Sequence, residues 1–209
     1  MQRQLTDTDR PLYWILSSAM GGLLILALVV LTMYLHTAES MRAPVAGVNA
    51  APSNQLKLDI IAPMTMTNGS SMGPMYTPDA NLVVPAHTLV TVTIINRDLG
   101  DTTMSPNSPY ALVTSVTDGM ARVDGSPYSK LDPAKVAHTF TIPRMGVNVP
   151  IPGDSATGQS SLTVTFSFMT GADGVFDWRC MDPCGNGPSG WEGPMATPGQ
   201  MMGTLTVVG

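Results

Sequence analysis

Residues 161–180 read SLTVTFSFMTGADGVFDWRC. Through 161–170 apolar side chains alternate with Thr and Ser, a period of two that suits a strand and no helix. A Gly-bearing break follows, and a second short run, 174–180, ends on a cysteine. The same short, alternating runs rich in Val, Ile, Thr and Phe recur at 56–62 (LKLDIIA), 81–86 (NLVVPA), 88–98 (TLVTVTIINRD), 137–143 (AHTFTIP) and 203–209 (GTLTVVG), with Pro- and Gly-containing loops between them. No stretch after residue 36 has useful helical length, although 110–120 has room for a turn or two. About 150 residues with seven or eight strands predict one all-β, antiparallel sandwich, large enough to bury its own core without disulfides. No internal repeat is visible.

Ahead of this domain, 11–35 reads PLYWILSSAMGGLLILALVVLTMYL without a charge. At about 1.5 Å per residue such a run crosses a hydrocarbon core of about 30 Å. Tyr13, Trp14 and Tyr34 suit the two interfaces, and the run is too long for the apolar core of a cleaved signal. The expected organisation is a tail (1–10), a single transmembrane helix (11–35), a tether rich in Ala, Pro, Ser and Asn (36–55) and the folded domain (56–209). Arg3 and Arg10 before the helix outweigh Arg42 after it, which places the N-terminus inside and the C-terminal domain on the extracytoplasmic side of the cell membrane. The net charge of −5 and the lack of a basic patch after the helix exclude nucleic acid as a partner. No Ser-His-Asp order, paired acid-base carboxylates, P-loop or dinucleotide fingerprint appears, so the chain reads as no enzyme and offers no catalytic residue.

Both cysteines lie in 180–195, CMDPCGNGPSGWEGPM, with Met195 eleven positions after Cys184. Their spacing permits a disulfide or a shared metal. Copper takes a soft thiolate, an imidazole and often a weak axial thioether, whereas Met is a poor zinc ligand. Of the three histidines, His36 abuts the membrane run and His87 sits at a turn entering a strand. His138 opens a strand, from which it can reach a loop beside a neighbouring strand.

Three segments together, 136–155 (VAHTFTIPRMGVNVPIPGDS), 164–187 (VTFSFMTGADGVFDWRCMDPCGNG) and 193–195 (GPM), resemble the copper A domain of cytochrome c oxidase subunit II. The resemblance implies a cupredoxin-like Greek-key β-sandwich with His138, Cys180, Cys184 and Met195 at ligand positions. It fails at the family's second histidine, four residues after the second cysteine, where this chain has Pro188. The loop before the Met is also longer and carries Trp191 and Glu192. With one imidazole missing, the resemblance implies one copper. A dinuclear site would need the Met181 or Asp182 carbonyl, Glu192 or a partner chain in its place. Around the ligands, Asp182, Pro183, Gly185, Asn186, Trp191 and Glu192 would shape the loop and tune the sulfurs.

The implied function is one-electron transfer at the outer face of the membrane, as a carrier or accessory subunit beside a redox protein or a respiratory oxidase-type complex. Subunit II usually has two membrane helices, and one is expected here. Two alternatives stay open: a copper delivery or storage protein, and a metal-free structural subunit with a Cys180–Cys184 disulfide. The chain also has 16 Met, several in the loop sequence MTMTNGSSMGPM (64–75) and at Met201 and Met202. Thioethers in loops suit Cu(I), but adaptable filling of gaps or a protein contact is the preferred reading.

Overall fold

The structure, a computed structural model, describes residues 51–67, 71–100, 104–153 and 159–209. The expected tail, transmembrane helix and most of the tether lie outside these residues, as does His36. Among the described residues no helix is long and apolar enough to cross a membrane. Residues 49–209 form one compact unit.

That unit is all-β. Among the described residues its strands are β1 (Gln55–Ile61), β2 (Met64–Thr65), β3 (Ser71–Met72), β4 (Met75–Thr77), β5 (Asn81–Pro85), β6 (Leu89–Asn96), β7 (Ala121–Val123), β8 (Ser126–Tyr128), β9 (Val136–Ile142), β10 (Val147–Pro152), β11 (Leu162–Met169), β12 (Gly174–Arg179) and β13 (Met202–Val208). All seven runs expected from alternation are strands, with bounds shifted by one or two residues. The domain begins on β1 at Gln55, one residue before the expected start. Helical structure is confined to single 3-10 turns, including Pro109–Ala111 and Thr117–Gly119 within the segment expected to hold a turn.

Two sheets face each other, in the orders β4-β1-β6-β11-β7-β8 and β10-β9-β12-β13-β5, and β2-β3 forms a separate ribbon. The chain crosses between the sheets from β4 to β5, β5 to β6, β8 to β9, β10 to β11 and β11 to β12. The expectation of a wholly antiparallel sandwich is corrected, because β1 pairs with β6 and β13 with β5 in parallel. Alternation within a strand reports its faces and not the direction of its neighbour, so the sequence pattern carried no sign of this. The segment 147–152 is likewise a strand and not part of a turn. Pro150 and Pro152 argue against a central strand. β10 is the outer strand of its sheet, paired along its length with β9 and bridged on its other side at Asn148 to Thr114, so the missing N–H groups of the two prolines break no ladder there.

The core lies between the sheets. In β6 and β11 every second residue is buried, whereas β9 and β10 are buried along their full length. The second face of β9 and β10 is covered by 104–131, through the bridge Thr114↔Asn148 and a small cluster of Met104, Ala111 and Val136. β9 therefore lies deep in the domain, and a polar side chain on it must find partners or bind something.

Candidate metal centre

His138 belongs to the face of β9 that also carries Phe140 and Ile142, and it is 1% exposed. Its Nε2 lies 3.2 Å from Asp98 Oδ2, within ion-pair distance, yet neither ring nitrogen has a well-aligned hydrogen-bond partner. Asp98 follows β6. Its N–H donates to Asn96 Oδ1 at 3.0 Å, and the buried Asn96 Nδ2 donates to Pro152 O at 3.0 Å. A turn fixed by Asn96 in one sheet thus delivers a carboxylate to a histidine of the other. With Nε2 facing that carboxylate, Nδ1 is the nitrogen left to act as a ligand.

Cys180 follows β12 directly, is fully buried, and its N–H donates to Met201 O at 2.8 Å. The Thr139 N–H donates to Cys180 Sγ at 3.3 Å. Cys184 Sγ is 3.4 Å from Cys180 Sγ and 3.3 Å from Met195 Sδ. Both cysteines are free thiols, since a disulfide needs about 2.05 Å. One ligand atom from each of His138, Cys180 and Cys184 lies within 4.8 Å of the others. Of the residues expected at the site, His138, Cys180 and Cys184 are thus brought together, and Met195 stands beside Cys184.

The loop that closes this point is held by its own backbone. Cys184 N–H donates to Asp182 O at 2.7 Å, Gly185 N–H to Gly190 O at 2.7 Å, and Asn186 and Glu192 exchange bonds at 2.9 and 3.1 Å. Gly185 is required by close approach: a Cβ there would meet Glu192 O, Gly190 O and the Met195 side chain. Asp182 is buried, and its carbonyl accepts from Cys180 Sγ at 3.5 Å. Pro183 is half-buried between the thiols, while Asn186 is exposed beside Gly193. The Glu192 carboxylate turns toward Gly187 and is not among the His138, Cys180 and Cys184 group. Trp191 is exposed and, with Met104, Tyr110, Met181 and Pro183, lines an open depression of about 460 Å³ beside the centre. His87, exposed in a turn with φ 49°, takes no part.

Four contributors went unread in the sequence. Asp98 ends the run TLVTVTIINRD, where the acid after a strand was the available signal. Thr139 supports both cysteine segments, because its Oγ1 accepts from Met181 N–H at 2.7 Å. Thr141 donates its hydroxyl to Asn148 Oδ1 at 2.6 Å, so the 2.8 Å contact between the two threonines uses the Thr139 proton. Tyr76 packs edge-on to Trp178 at 4.8 Å, and its hydroxyl donates to Thr139 O at 3.1 Å. Trp178 stacks on Phe140 at 5.1 Å and is fully buried beneath Cys180, not at the loop surface.

The charges follow from this packing. Burial alone would push His138 down, but Asp98 and the Cys180 sulfur outweigh it and push the imidazole up to about 9. Burial raises Cys180 too, yet the Cys184 thiol and the His138 imidazole beside it hold it well below the usual thiol range. Cys184 is pushed far up, first by its hydrogen bond to Cys180 and then by burial. The metal-free centre therefore favours a proton on His138 and on Cys184 over one on Cys180.

No protein-family model matches the chain, and no curated protein is significantly similar to it. Solved structures are similar over most of the domain. Dithionite-reduced auracyanin from the photosynthetic bacterium Roseiflexus castenholzii is 13% identical, with a TM-score of 0.36, over 76% of this chain and 100% of that one. Auracyanin B is 17% identical, with a TM-score of 0.35, over 78% and 94%. Rusticyanin from Thiobacillus ferrooxidans is 13% identical, with a TM-score of 0.33, over 76% and 84%. At TM-scores below 0.5 these likenesses add no argument to the strand order and the side-chain geometry.

The donor set fits copper. Two sulfurs, a thioether and an imidazole converge in a buried place, and the ring nitrogens lack the hydrogen bonds that a buried structural histidine normally makes.

Proposed function

We propose that this chain is a membrane-anchored, cupredoxin-like electron carrier that binds one copper through His138, Cys180, Cys184 and Met195. The observation that carries the reading is the convergence of four soft or borderline donors, with two unbonded sulfurs 3.4 Å apart, beside a histidine whose ring nitrogens are not hydrogen-bonded. Copper, when bound, supplies a one-electron couple whose two states both accept sulfur and imidazole. The chain's part is to keep the ligands where they are in both states. Strands β9 and β12 fix His138 and Cys180, and the Thr139 N–H stabilises charge on Cys180. Asp98 orients His138, and burial under Trp178, Tyr76 and Phe140 excludes water from the inner side.

The resemblance to the copper A domain supports a place beside a respiratory oxidase-type complex or another redox protein. The uncharged run at 11–35 supports anchoring with the domain on the extracytoplasmic side. Neither the resemblance nor the residues supply a second imidazole, so one ion is favoured over two.

The test is copper content with visible and EPR spectra of the reduced, copper-loaded full chain. One copper with a thiolate charge-transfer band and a four-line hyperfine pattern, both lost in His138→Ala and Cys184→Ser, is expected. A seven-line pattern with two coppers would replace the mononuclear reading by a dinuclear one. Failure to load, with the two thiols found oxidised to each other, would leave a structural subunit.

A further inference from the structure

Residues 62–76, APMTMTNGSSMGPMY, contain neither a charged side chain nor a His or Cys, so the side-chain donors they offer are thioethers, hydroxyls and one amide. The ribbon β2-β3 pairs Met64 with Met72 and Thr65 with Ser71. Cross-strand partners share a face, with Cβ atoms about 4.5–5.5 Å apart, and diagonal neighbours on that face lie about 7–8 Å apart. Met66 follows β2 directly, and an extended continuation of that strand sets it on the face of Met64. Met64 and Met72 therefore share a face of the ribbon, with Met66 just beyond its end.

Core packing does not account for them. Met64 and Met66 are 43% and 41% exposed, unlike Met201, which is fully buried and does fill the core. Met201 fills a gap in the core, whereas Met64 and Met66 stand in solvent and Met72 is half-buried. Its base is clamped: a Cβ on Gly73, at φ +97°, would lie 3.2 Å from Pro63 Cα and 3.3 Å from Ala62 O. The two legs are thus held together where they leave the domain.

They leave it at the end that carries the centre. Ile60 pairs with Asn96, and the Arg97 N–H donates to Ile60 O at 2.8 Å, one residue before the Asp98 that contacts His138. Neutral thioethers give a hard divalent cation nothing to replace its water, whereas a soft monovalent ion gains from them.

We propose that Met64, Met66 and Met72 form a Cu(I)-binding site, separate from the His138 centre, that captures the ion at this end of the domain. Binding exchanges water or a carrier's ligands for three thioether sulfurs. It moves no electron and releases no proton, so its affinity is independent of pH. The site does not depend on the electron-transfer reading.

The test uses the full chain with Cys180→Ser and Cys184→Ser, titrated anaerobically with Cu(I) against a chromophoric Cu(I) chelator. One Cu(I) per chain is expected, with an affinity flat between about pH 5 and 8 and weakened roughly tenfold or more by Met64→Leu or Met72→Leu, which keep volume and remove the sulfur. Because the serine variant can fail to fold, the wild-type chain is also titrated with Ag(I) while the methionine methyl carbons are followed by NMR. Signals of Met64, Met66 and Met72, assigned from the Leu variants, should shift together. Cu(I) binding indifferent to those substitutions, or methyl signals unmoved by Ag(I), overturns the site and leaves the ribbon as a contact surface.

Discussion

The 3.2 Å approach of Asp98 to His138 makes one acidic side chain the link between the two sheets at the centre. Removing its charge while keeping its shape, as Asp98→Asn, should weaken Cu(II) binding by about 10 to 100-fold and raise the reduction potential, because a less basic imidazole stabilises the oxidised ion less. Competition titration and voltammetry on the same variant read both effects, and an unchanged potential would reduce Asp98 to a bystander. The protons give a second prediction. The Cys180 sulfur and burial push the Cys184 thiol up, while Asp98 and Cys180 hold a proton on the metal-free His138 up to about pH 9. Copper must displace that His138 proton below about pH 9 and not above it, so the rise of log K with pH should become shallower by about one per pH unit as pH passes through about 9. A slope unchanged across that pH would mean that His138 is not a ligand. The four candidate donors could be picked out because residue type and order mark them: a strand His, two Cys and a late Met. Asp98 and Thr139 were not, since an acid after a strand and a Thr within one are ordinary in sequence and acquire their roles only when β6, β9 and β12 are brought together.

At the scale of elements, the loop 180–195 is a short scaffold whose backbone bonds leave no room for side chains in its interior. Gly185→Ala forces a Cβ against Glu192 O, Gly190 O and Met195 Cγ, so the loop must open and carry Met195 away from Cys184. Such a variant should keep its far-UV spectrum, lose the axial thioether and shift its copper spectrum; unchanged spectra would show that the loop tolerates the methyl group. Beneath the loop, Thr139→Val leaves the Met181 N–H without its acceptor in a buried place, at a cost of about 1–3 kcal/mol, read as a lower denaturation midpoint. The alternating strands could be read directly because each buries one face. β10 could not, since both its faces are covered and its prolines sit where only an edge strand tolerates them. The short strands β2, β3, β4, β7 and β8 have two or three residues each, too few for alternation to register.

For the whole molecule, the decisive property is that the core and the centre share the same residues. Phe140, Trp178 and Cys180 belong to one hydrophobic cluster that also contains Leu56 from the first strand and Val207 from the last. The unit from Asn49 to Gly209 contains His138, Cys180, Cys184, Met195 and that entire cluster, which predicts that it assembles both by itself. A chain beginning at Asn49 should therefore fold, bind one copper with the spectrum and potential of the full chain, and melt at the same temperature in the metal-free state. The opposite substitution marks the core's share: Trp178→Ala should cost about 3–5 kcal/mol and lower the melting temperature of the metal-free domain, because it opens a cavity between Tyr76 and Phe140. Since Cys180 rests on that packing, the same variant should also broaden the copper EPR pattern. If the truncated chain lost copper while keeping its β-sheet spectrum, a donor or a support for the centre would have to come from residues 1–48, and the self-contained centre argued from this unit would be wrong.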